Sequence, residues 1–129
     1  MTIDEKKGML NEYLSKNGRL KRLYAMKEQM LDTKKSNLEY YTAVKMDIQL
    51  VKTEKEIERL IPEVNESKEK IIAEIDNIKI SDSKDELYKD ILEMRYIFGY
   101  KWEDIAIATH YCYVYVLSLH REALSLMFE

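Results

Sequence analysis

A chain of 129 residues that is 46% hydrophobic and 35% charged, with three glycines and one proline, is suited to long helices; an all-β fold would need more turn residues. Its formal net charge of −3 is unevenly spread: residues 1–84 hold 17 Lys/Arg and 16 Asp/Glu, residues 85–129 hold 4 and 8. The single cysteine, Cys112, excludes an internal disulfide, no apolar run follows the charges of the first seven residues, and the longest apolar stretch, 111–117, is too short to span a bilayer; the expectation is a soluble, cytoplasmic protein without a signal peptide.

Thr2 with Glu5 three residues later is a capping-box pattern that opens a first helix. Asn17-Gly18 either ends that helix or is absorbed by it at a cost of about 1 kcal/mol. Leu20, Leu23, Tyr24, Met30 and Leu31 then recur at helical spacing. The same stretch carries Lys16, Arg19, Lys21, Arg22, Lys27, Lys34 and Lys35 against Glu28 and Asp32, and reads as a solvated, basic helix face. Ser36 with Glu39 is a second capping box, which places a turn near 34–37.

Leu50, Ile57, Val64, Ile71 and Ile78 lie seven apart, a heptad seam whose companion positions are mixed: Ile61 and Ile75 are apolar, Glu54 and Lys68 are not. Pro62 lies inside the run and must kink it or divide it. Two such helices joined by a short turn make an antiparallel hairpin within one chain, or the seam makes a homodimer through the arm. The polar stretch 81–85 is the best boundary, giving an arm over 1–82 and a second module over 83–129.

Ser83 with Glu86 is a third capping box, opening a helix through Leu87, Ile91, Leu92 and Met94 to Phe98, with Gly99 at the cap position that wants positive φ. A short helix follows with Ile105 turned inward and a small Ala106, and then a second whose inner face is Val116, Leu119, Ala123, Leu124 and Met127. That is the pattern of a helix-turn-helix, in which close crossing demands a small residue. Residues 111–118 also alternate like a strand, but no second strand-like segment exists to pair with them, so the helix is the reading adopted.

Three runs carry a family resemblance: Ile91-Leu92-Glu93-Met94-Arg95-Tyr96-Ile97-Phe98-Gly99, then Trp102-Glu103-Asp104-Ile105-Ala106, then His120-Arg121-Glu122-Ala123-Leu124. They resemble region 4 of bacterial sigma factors, and more closely the small phage-encoded ArpU and RinA-like late transcription regulators. The resemblance implies an all-α fold with a long helical hairpin or coiled-coil arm before a sigma-region-4-like helix-turn-helix. It further implies a phage or prophage regulator of transcription acting on duplex DNA in the host cytoplasm.

Within such a module Tyr113, Val114, Leu117 and Ser118 are the residues that should face a DNA groove, with Lys101 and Arg121 as neighbouring cations. Base readout ordinarily uses Arg, Lys, Asn and Gln, and most non-specific affinity comes from phosphate contacts. An apolar, tyrosine-bearing face in an acidic module therefore leaves a second reading open: a protein-binding surface for host RNA polymerase or another host factor. Tyrosine is enriched at interface hot spots, and six of the ten tyrosines lie in the last 42 residues.

No enzyme, cofactor or metal is expected. Glycine at positions 8, 18 and 99 alone writes no phosphate-cradling loop. Cys112 and His120 are eight residues apart, roughly 12 Å along a helix, too far to share a metal or act as a catalytic pair. His110 reads as a turn residue and His120 as a helix-packing residue.

Overall fold

The computed structural model describes residues 1–35, 39–78 and 85–127, and among these all regular structure is helical. The helices are α1 (Ile3–Lys34), α2 (Tyr40–Asp76), α3 (Asp85–Tyr96), α4 (Trp102–Thr109) and α5 (Tyr113–Leu126). The all-α expectation holds, and the strand-like alternation at 111–118 yields to helix in α5. None of these helices is long and apolar enough to cross a membrane. The capping boxes at Ser36 and Ser83, the turn expected at 34–37 and the boundary expected at 82/83 fall on or reach into residues outside those described. The chain divides into two compact units, one of Ser15–Asn65 and one of Met1–Leu14 with Glu66–Glu129.

In the unit of Ser15–Asn65, segments of α1 and α2 pack antiparallel. Leu23, Leu50, Ile57, Leu60 and Val64 are buried between them. Thr53 is buried too, and its hydroxyl donates to the Gln49 carbonyl at 2.9 Å, which satisfies it inside the helix. The buried companions of the seam are thus Thr53 and Leu60, three residues on, rather than the fourth-residue positions Glu54 and Ile61. Ion pairs Arg19–Glu56, Lys27–Glu54 and Lys34–Asp47 run down the pair of helices. Three of the seven cations in the basic stretch of α1 are therefore matched by acids of α2. Exposed pairs of this kind contribute about 0–1 kcal/mol each, so they fix register more than stability. The hydrogen bond from Arg19 holds the Glu56 carboxyl below the usual carboxylate range.

Gly18 is absorbed into α1, and α2 runs through Pro62 without dividing. A proline at that point deprives the Glu58 carbonyl of its helical donor. Glu58 is exposed, while Leu60 and Val64 on either side of the proline are buried and hold the helix together.

In the other unit, α1 opens with the reciprocal capping box. The Thr2 amide donates to Glu5 Oε2 at 3.2 Å and the Glu5 amide to Thr2 Oγ1 at 3.1 Å. Helices α3, α4 and α5 pack on one another around Ile91, Leu92, Ile105, Val116 and Leu124, all with no exposed surface. Leu10 of α1, Ile71 and Ile75 at the end of α2, and Ile78 just beyond it are buried in the same unit. All five seam residues are therefore buried within a single chain. The Lys6 ammonium, itself buried, donates to the Leu124 carbonyl at 2.7 Å and serves one of the last carbonyls of α5, where a cation also complements the helix dipole. Gly99 takes φ +71° as expected. Helix α3 ends at Tyr96 rather than Phe98: Tyr88 and Tyr96 fill the interior, and Phe98 is exposed.

Candidate binding surface on α4 and α5

The connection between α4 and α5 is three residues long. His110 closes α4 in the left-handed conformation, φ 63° and ψ 24°, with its amide donating to the Ile107 carbonyl at 3.3 Å. Cys112, extended at φ −71° and ψ 155°, starts α5. Glu103 and Asp104 in the first turn of α4 complement the positive end of its dipole. Ile105 is fully buried and Ala106 half-buried, while Val116, Leu119, Ala123, Leu124 and Met127 form the inner face the spacing predicted.

His110 is exposed, so its side chain adds little to set against a backbone conformation that glycine adopts freely. His110→Gly is expected to raise stability, by up to about 1 kcal/mol, in urea denaturation. A loss of stability instead would show that the imidazole makes a contact worth more than the strain.

The six residues singled out from the sequence do not all behave alike. Lys101, Tyr113, Val114, Ser118 and Arg121 are exposed, Val114 by 75%. Leu117 is half-buried and lines a cleft of about 180 Å³ with Ile3, Lys7, His120, Arg121 and Leu124. Lys7 therefore sits with Arg121 as a second cation beside α5, and sequence reasoning had no signal for it across more than a hundred residues. Ile107, exposed by 73%, was also missed, although its place just before the turn, on the side away from Ile105, is readable from helical phase. Tyr111 and Tyr115 lie ring to ring at 5.0 Å, tying the turn to the first turn of α5.

Behind this surface is a polar cluster. Tyr96 Oη and His120 Nε2 share a 2.6 Å hydrogen bond, the Trp102 ring lies 4.5 Å from the imidazole, and Arg95 stacks on Trp102 at 4.6 Å. Burial first, then the charges of Lys7, Arg95 and Arg121, push the His120 pKa down to about 4. Burial pushes the Tyr96 phenol up to about 12. Both groups are neutral near pH 7, so the cluster packs α3, α4 and α5 together and carries no charge of its own on those two rings. The Tyr88 hydroxyl donates to Glu122, a second polar tie from α3 to α5.

Comparison with family models, curated proteins and solved structures returns no match.

Proposed function

We propose that α4 and α5 form a helix-turn-helix of the sigma-region-4 kind, carried by the α1–α2 arm, and that the protein is a phage or prophage transcription regulator binding duplex DNA in the host cytoplasm. The observation that carries this reading is the turn. An eight-residue helix is followed by a three-residue connection whose first residue, His110, is left-handed, and a fourteen-residue helix then buries one face and exposes another. A major groove about 12 Å wide admits such a helix. Tyr113, Val114 and Ser118 are then presented to base edges, where Val114 suits the thymine methyl and Ser118 either hydrogen-bonding partner. Lys101 and Arg121 contact phosphate.

With so few cations, the protein neutralises two or three phosphates, and log affinity falls with log salt with a slope of only about −2 to −3. Fluorescence anisotropy on a labelled phage promoter fragment between 50 and 200 mM salt is the test, salt levels over which phosphate-rich binders lose orders of magnitude. Arg121→Ala is expected to weaken binding to all sequences and to flatten the slope by about 1. No binding at low salt with the folded protein in excess removes the DNA reading.

The exposure of Ile107 and Val114 on either side of the turn favours a second reading, a protein-docking face for host RNA polymerase or another host factor. Val114→Arg separates the two. An added arginine keeps or raises DNA affinity, whereas a charge buried in a protein interface abolishes that complex.

A further inference from the structure

The seam that marks α2 as a candidate dimer helix is used up inside the chain, but α2 carries a second apolar stripe. Tyr41, Val44, Ile48 and Val51 follow the three-and-four spacing of a heptad and are exposed by 68, 37, 53 and 49%. At about 100° per residue this stripe points half a turn away from Leu50, Thr53, Ile57 and Leu60, which face α1. It stops where the spacing reaches Lys55 and Glu58. Tyr40, exposed by 85%, lies at its edge. We propose that this outward face of α2 holds a second copy of the same chain, with the two α2 helices parallel.

Charge selects both the partner and the direction. On one edge of the stripe stand Lys45, Lys52 and Arg59, and on the other Asp47 and Glu54. In a parallel pair each residue before the seam meets the residue five further on in the other helix. Asp47 then faces Lys52 of the partner subunit beside the stripe, whereas Glu54 and Arg59 flank the layers of Lys55 and Glu58 beyond its end. In an antiparallel pair lysine meets lysine and acid meets acid. Asp47 and Glu54 already bind Lys34 and Lys27 within the chain, yet both carboxylates stay about half exposed, leaving lone pairs for a second cation. The face is also ready-made. Packing on α1 already holds α2 helical, so association does not bear the cost of ordering the helix.

The stripe is only about 15 Å long at 1.5 Å per residue, so the complex is a weak, two-fold dimer whose two faces are the same patch. This inference is independent of DNA binding. Sedimentation velocity on the full chain is the first test: dimer at roughly 100 µM, dissociating on dilution, as small interfaces do. Ile48→Glu is expected to weaken association at least tenfold with the helical circular dichroism and melting temperature unchanged, since surface changes shift stability by about 0.5 kcal/mol or less. Direction is read from a chain carrying Cys112→Ser with Ile48→Cys. In a parallel pair the two introduced thiols share one layer and oxidise to a disulfide-linked dimer; in an antiparallel pair they do not meet. A monomer at all concentrations, a dimer indifferent to Ile48→Glu, or a dimer without the cross-link overturns the proposal.

Discussion

Replacing Leu92 or Ile105 with alanine is expected to destabilise the unit that holds α3, α4 and α5 by about 2–5 kcal/mol, a large share of the stability of a small domain. Both side chains have no exposed surface and sit where the three helices meet. Ile105 is the more telling of the two, because α4 has only eight residues. A helix that short is not stable by itself and exists because its buried face is held. Urea denaturation followed through Trp102, the single tryptophan, reads the change directly, since its ring packs against His120. Ile107→Ala, two residues away and three-quarters exposed, is the control and is expected to move stability by no more than about 0.5 kcal/mol. Equal losses at 105 and 107 would mean that α4 is rotated from the phase described above.

Acidification is expected to weaken the same unit through His120. The imidazole titrates near 4 in the folded protein against an ordinary value of 6.5. The unfolded chain therefore binds the proton first as pH falls, and stability drops with it. The contribution is fully present above about pH 6.5, falls progressively down to about pH 4 and is flat below that. The gap amounts to about 3 kcal/mol at roughly 1.4 kcal/mol per pH unit. Denaturation midpoints at pH 7 and pH 4.5 for the native chain and His120→Phe check this. The variant loses its bond to Tyr96 and is less stable at pH 7, but its midpoint is expected to change less between the two pH values. An unchanged pH dependence in the variant would assign the slope to other groups.

Much of the fold is written in short-range periodicity. The capping box at Thr2, the inner face of α5 from Val116 to Met127 and the positive φ of Gly99 are each a matter of a few neighbouring residues. The chain's own spacing specifies them because a helix repeats every 3.6 residues and a left-handed cap wants glycine. The same logic placed Lys101, Tyr113, Val114, Ser118 and Arg121 on the surface of the α4–α5 module, and it placed Leu117 there too, where packing instead half-buries it.

What a stripe cannot state is which surface covers it. The heptad from Leu50 to Ile78 demanded burial, and whether by the same chain or a second one was settled only by tertiary packing, which buries all five residues within one chain. Only then does the second stripe, Tyr41 to Val51, stand out as exposed apolar surface on α2, with the Lys45 ammonium over the Tyr41 ring at its edge. Pro62 likewise stays inside a continuous α2 because buried Leu60 and Val64 hold the helix where local sequence favours a break. The buried charge of Lys6 on the Leu124 carbonyl, the placing of Lys7 beside Arg121 and the depressed pKa of His120 all join residues far apart in sequence. Local pattern carries no trace of such pairings, because desolvation and Coulomb terms depend on distance in space and not along the chain.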